Sequence, residues 1–255
     1  MSKKIALLVG GMYREFEIAH KSWPFLNYNN IDVFFSTWDK TYEINERLGI
    51  NIKENVDCRK IKDFIPNARI TISEDFSDDK TTISSIKKII FHWKILKGMM
   101  EETRNNYDLI ILTRPDMVYL EKSNFNLLLE HILDDSIYGL TPIEKLEKYP
   151  HYYVQDCLFI SKSHVISRMI DTLDPYTSCD DIHLLLSEYF IKNQVEVKSL
   201  HPQFFEYYVA RSIHRNLKNI SFEKMKEIGL DWWHIKHDNR ETNELKNKLD
   251  EWAIK

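Results

Sequence analysis

The chain has 255 residues, with 35 Lys and Arg against 39 Asp and Glu, a formal net charge of −4 at pH 7. Hydrophobic residues at 43 % and charged residues at 29 % match a globular chain that can bury a substantial core, and only 6 Gly and 7 Pro exclude collagen-like and low-complexity readings. Near-neutral charge supplies no global field for coating nucleic acid or an anionic membrane.

Three scattered cysteines (Cys58, Cys157, Cys179) form no metal or disulfide pattern, so a reducing compartment is expected. The opening Met1-Ser2-Lys3-Lys4 leads into an apolar run too short for a signal sequence, and no stretch of 18 or more apolar residues follows. A cytoplasmic protein without stable membrane insertion is the expectation.

Residues 4–9 form an apolar run ended by Gly10-Gly11, which predicts a buried parallel strand running into a tight turn. A helical stretch is expected over 16–26, a second strand over 31–37 ending at Trp38-Asp39, and a helix over 41–48, while 51–68 is mixed. Strand, helix, strand within about forty residues is the βαβ rhythm of an α/β fold. Residues 73–82 are polar and acidic, a loop. Ile86, Ile89, Ile90, Trp93 and Leu96 recur at helical spacing and predict a long amphipathic helix over 83–104. The run 107–112 reads as a buried strand, stopped by Thr113-Arg114-Pro115-Asp116 because Pro115 cannot donate to a ladder.

A short helix is expected over 126–133, a loop over 143–153, a strand over 155–161 and a helix over 163–173. Asp174-Pro175 breaks that helix, and Ser178-Cys179-Asp180-Asp181 caps another running to about Lys192. A strand over 195–200 ends at His201-Pro202. The rest is expected to be helical and locally basic, with Arg211, His214, Arg215, Lys218, Lys224 and Lys226. The predicted architecture is therefore α/β, a mostly parallel sheet flanked by helices over 1–202, with a helical extension over 203–255 packed on it.

Sites in α/β sheets gather at strand carboxyl ends. Four such ends carry polar groups: Gly10-Gly11 with Arg14, Thr37 with Asp39, Arg114 with Asp116, and His201. This set suits an anionic, phosphorylated ligand held with a divalent cation. Backbone amides after Gly10-Gly11 and the Arg14 guanidinium could meet phosphate, and Asp116 could hold Mg²⁺ or Mn²⁺. Plainer roles stand beside these. Gly10-Gly11 could be only a turn, Asp116 a turn cap, His201 a surface histidine, and Asp180-Asp181 a helix cap and first-turn acid. The Phe204-Phe205-Tyr207-Tyr208 cluster and Trp232-Trp233 read more readily as packing than as a stacking platform.

Several segments carry a resemblance. "KIALLVGGMYREF" (4–16) resembles the opening of a family of bacterial and viral sugar transferases, a strand followed by Ser-Gly and an Arg two before an aromatic. "DVFFSTWD" (32–39) is similar to their Asp-Val-Phe-Ile-His-Thr-Trp, with Ser36 in place of the histidine. "YDLIILTRPDMVY" (107–119) resembles their Tyr-Asp-x-Val-Ile-Arg-x-Arg-Pro-Asp, and "QDCLFISKSHVISRMI" (155–170) their following Asp-x-Phe-x-x-Gly-Ser segment, without its glycine.

The resemblance implies a GT-A-fold, Rossmann-like glycosyltransferase using a nucleotide-sugar donor. Gly10, Gly11, Arg14, Thr37, Asp39 and Arg114 would contact the nucleotide sugar. Asp116 would stand at the metal-ligating aspartate and His201 at the C-terminal metal histidine, with Mn²⁺ or Mg²⁺ as cofactor. Because the motif is Arg-Pro-Asp, one carboxylate of the usual acidic pair is missing and metal dependence stays open. Asp181 or Asp156 would be the general base of an inverting enzyme. The acceptor would be a lipopolysaccharide or capsule glycan, or a 5-hydroxymethylated pyrimidine in phage DNA. The Lys-, Asn- and Ile-rich composition suits an AT-rich phage genome, and Arg211 and Arg215 would then contact the DNA acceptor. The alternative is a non-catalytic nucleotide- or sugar-binding module of the same fold.

Overall fold

The structure, a computed structural model, describes residues 3–14, 16–45, 50–75, 85–121, 124–140, 154–175, 179, 181–200 and 204–209. Strand β1 (Ile5–Gly10) leads through the short helix α1 (Phe16–Ala19) and two 3-10 turns to β2 (Ile31–Trp38). A hairpin of β3 (Lys40–Asn45) and β4 (Ile50–Asn55) follows, then α2 (Cys58–Phe64) and β5 (Arg69–Ser73). The long helix α3 (Ser85–Glu102) precedes β6 (Leu109–Thr113), β7 (Met117–Glu121), α4 (Phe125–His131) and β8 (Ile137–Gly139). The last described elements are β9 (Leu158–Lys162), α5 (Ser163–Thr172), α6 (Ile182–Lys192), β10 (Val197–Ser199) and β11 (Phe205–Val209).

Seven strands form the central sheet in the order β10-β8-β9-β6-β1-β2-β5. Neighbours pair in parallel except at β9, which runs antiparallel to both β6 and β8. The expected α/β class with a mostly parallel, helix-flanked sheet is thus present. No helix among the described residues is long and apolar enough to cross a membrane.

The alternation of side chains along β1 builds two cores. Ile5, Leu7 and Val9 face a layer made by Phe16, Trp23, Phe25, α2 and α4, joined by Tyr119 of β7 and Phe205 of β11. Ala6 and Leu8 face α3, α5 and α6, against Trp93, Leu96 and Ile166. Burial on both faces explains why β1 and β6 read as unbroken apolar runs rather than alternating ones. Of the α3 stripe expected from Ile86, Ile89, Ile90, Trp93 and Leu96, all are buried except Ile89, which packs partly buried against the same core.

Three expectations are corrected. The stretch expected as a helix over 41–48 is strand through Asn45, paired Lys40↔Asn55 to Asn45↔Ile50 across the hairpin. Its Thr-Tyr-Glu-Ile-Asn sequence alternates at period two, and a partner strand supplies the hydrogen bonds. The helix expected over 16–26 is a single α-turn followed by 3-10 turns, because Pro24 lacks the donor that would continue it. The extension expected as helical from 203 opens instead with β11, antiparallel to β7 in register Phe205↔Glu121. Residues 210–255 lie outside the described ones.

Leu8→Ala opens a void between β1 and α3. It should cost about 3 kcal/mol, read as a lower urea midpoint with an unchanged slope.

Candidate active site

The chain leaves β1 toward β2 on one side of the sheet, while β6 is added on the other. A ligand crevice in an open α/β sheet forms outside the strand ends at such a reversal. The loops after β1 and β6 meet there. Gly11 sits at φ 133°, a conformation that favours glycine. A Cβ on it would stand 3.5 Å from Pro115 Cδ, so the two loops are in contact. The Gly11 amide donates to the Ser36 carbonyl at 3.1 Å, fixing the loop to β2 as well.

Around this junction lie two arginines and two carboxylates. Arg114 donates from Nε to Asp116 Oδ1 at 3.0 Å and from Nη2 to Asp116 Oδ2 at 2.8 Å, a bidentate fork across Pro115. Its Nη1 stands 3.6 Å from Asp156 Oδ1, and Arg14 Nη1 stands 3.7 Å from Asp116 Oδ2. Asp116 and Asp156 are buried, at 2 % and 6 % exposure, whereas the Arg14 and Arg114 side chains keep 27 % and 22 %. The cations are therefore partly open to solvent while the carboxylates they pair with are buried. Withdrawal from water opposes the charge on Arg114, but the carboxylates, Asp116 foremost, outweigh it and hold its pKa well above the ordinary arginine value.

Beside the cluster, Thr113 Oγ1 and the Tyr119 hydroxyl bond to each other, and whichever of them accepts in that bond can donate its own proton to the Cys157 carbonyl, which lies 3.2 Å from Thr113 Oγ1 and 3.3 Å from the Tyr119 oxygen. Burial, with Asp156 adding to it, pushes the Cys157 thiol up, which keeps it protonated. Tyr119 reaches this network from β7, one end of which is pinned by Trp23 Nε1 donating to the Met117 carbonyl at 2.6 Å.

On the β2 side, Ser36 Oγ and His92 Nδ1 share a buried hydrogen bond of 2.8 Å. His92 comes from α3, is 1 % exposed, packs against the Trp38 ring at 4.2 Å, and leaves Nε2 without a hydrogen-bond partner among the described residues. Burial pushes its pKa down from 6.5 to about 4. His92 and Tyr119 were missed in the sequence reading.

Arg14, Gly11, Arg114, Asp116 and Asp156 are brought together. Other candidates are placed differently. Gly10 is buried under α3, where a Cβ would stand 2.8 Å from Leu96 Cδ1 and 3.3 Å from His92 Cβ, so it serves packing rather than ligand contact. Thr37 is fully buried and its hydroxyl accepts the Tyr13 amide at 3.1 Å, which makes it a support of the β1 loop. Asp39 ties the ends of β2 and β5 together, accepting the Asp75 amide at 3.0 Å and donating its own to the Ser73 carbonyl at 2.8 Å. Asp181 caps α6, accepting the amides of His183 and Leu184 at 2.9 and 3.3 Å. His201, Arg211 and Arg215 lie outside the described residues.

Both oxygens of Asp116 accept from Arg114, so a divalent cation on either would lie against the guanidinium charge. Among the described residues no group of three or more His, Cys, Asp or Glu could hold an ion. These residues do not fit a metal at Asp116. No family model matches the sequence, and no curated protein matches it significantly.

Two predictions follow from the charges. Between pH 6.5 and 4 the unfolded His92 binds a proton that the folded one refuses, so stability is full above 6.5 and falls as the solution is acidified. That loss should be about 3 kcal/mol, and His92→Gln should flatten the curve over this window; parallel curves would refute it. Asp116→Ala strands the Arg114 cation and should cost about 3 kcal/mol. The Arg114→Met, Asp116→Leu pair should recover only part of that in urea unfolding, because Asp156 loses the Arg114 cation as well.

Proposed function

We propose that the chain is a nucleotide-sugar-dependent glycosyltransferase of the GT-A type, holding its donor at the carboxyl ends of β1 and β6. The observation that carries this reading is the convergence of a glycine-turned strand end with two partly exposed arginines at the reversal of strand order. Glycosyl transfer from such a donor expels a nucleoside diphosphate, and its developing charge needs fixed donors aimed at the leaving oxygens. Arg14 and Arg114 are the donors we assign, with backbone amides of the β1 loop beside them.

Asp156 is our choice of general base over Asp181. Asp156 is buried within the charge cluster, its Oδ1 3.6 Å from Arg114 Nη1. Asp181 serves as the N-cap of α6, accepting the amides of His183 and Leu184. The acceptor is a hydroxyl of a cell-surface glycan or of a 5-hydroxymethylated pyrimidine in DNA, and transfer to each is measured separately.

A thermal-shift screen of uridine, guanosine, adenosine, cytidine and thymidine diphosphate sugars tests the reading. One of them at a hundred times its Kd should stabilise the chain by about 2.7 kcal/mol, with release of the nucleoside diphosphate on incubation. Arg14→Ala should weaken that donor by about tenfold or more while leaving the stability of the free protein near wild type. No shift with any donor would overturn the reading. A shift without nucleotide release would make the chain a binding module.

A further inference from the structure

We propose that Arg114 is the resident cation of the crevice. Its guanidinium, held between Asp116 and Asp156, stands where the family resemblance calls for a divalent ion, and guanidinium N–H groups rather than a metal meet the donor diphosphate. This rests on the functional reading above, because it names what neutralises the leaving group.

The geometry carries the argument. Mg²⁺ and Mn²⁺ take about six oxygen ligands, with carboxylates supplying the charged ones. Both Asp116 oxygens already accept from the Arg114 fork, at 3.0 and 2.8 Å, so an ion on either would share it with a guanidinium. The nearest other carboxylate, Asp156, faces the same guanidinium at 3.6 Å. An ion bridging the two aspartates would therefore have to displace Arg114 or sit against it, and like charges in so dry a place repel strongly. Arg114 cannot relieve the conflict by releasing its proton, as a lysine or histidine would.

The same fork leaves Arg114 fit for a ligand. A guanidinium has five N–H donors, and Asp116 takes two of them. The contact with Asp156 at 3.6 Å is too long to consume a third. The remaining donors lie on a side chain that is 22 % exposed, with Arg14 beside it at 27 %. The carboxylates then orient the guanidinium plane rather than bind an ion.

The experiment uses the full chain. Mn²⁺ uptake is followed by loss of the free-ion electron paramagnetic resonance signal and by thermal shift, for wild type and Arg114→Ala. The wild type should leave Mn²⁺ free and its Tm unmoved. Arg114→Ala exposes both carboxylates and should bind about one Mn²⁺ per chain with a rise in Tm; Arg114→Lys, a cation that can release its proton, should bind Mn²⁺ more weakly than Arg114→Ala. In parallel, binding of the five nucleoside diphosphates to wild type is measured in EDTA and in Mn²⁺, and Kd should agree within about twofold.

Mn²⁺ uptake by wild type, or diphosphate binding that EDTA abolishes and Mn²⁺ restores, overturns the inference while upholding the functional reading. Absence of diphosphate binding in both buffers overturns the functional reading, and the Mn²⁺ arm then decides the role of Arg114 alone. Should Arg114→Ala not fold, Arg114→Gln replaces it, and the wild-type arms stand by themselves.

Discussion

The structure depends on β1 being buried on both faces between two parallel neighbours. Ile5, Leu7 and Val9 belong to one core and Ala6 and Leu8 to the other, all at 0 % exposure. A strand so enclosed can meet ligand only at its carboxyl end, where the chain must turn away at once. Gly10 gives α3 room to lie across that end, and Gly11 adopts the φ that starts the turn. The position of the crevice is therefore a consequence of packing, and the polar residues around it inherit their places from the strand ends that carry them.

The charge cluster obeys a second constraint. A carboxylate at 2 % exposure is costly unless its oxygens are satisfied, and Arg114 satisfies both from only two residues away. Pro115 between them ends the β6 ladder and contributes the ring against which Gly11 packs. Thr113, Tyr119 and the Cys157 carbonyl are linked beside it by hydrogen bonds. The result is a pair of partly exposed guanidinium groups set against buried carboxylates.

The elements legible in the chain are those whose burial follows a simple period. β1, β2 and β6 are apolar runs, α3 has its stripe at helical spacing, and α6 has an acid at its N-cap. Elements that exist through a distant partner were not legible. The β7–β11 pair joins Met117–Glu121 to Phe205–Val209, more than eighty residues along the chain, and neither segment is apolar throughout. The hairpin of β3 and β4 has an ambiguous composition that pairing resolves in favour of strand.

By itself the sequence determined the α/β class and the strand ends that carry polar groups, Arg14, Arg114 and Asp116 among them. These depend on local periodicity and on stops such as Gly10-Gly11 and Pro115. Only the tertiary structure decided which of those residues touch. It buried Gly10 and Thr37 in supporting roles, committed Asp181 to a helix end, brought His92 from α3 to Ser36, and set Arg114 between two carboxylates from different strands. Such contacts arise from strand order and helix packing, which join segments far apart in the chain, so no local pattern encodes them.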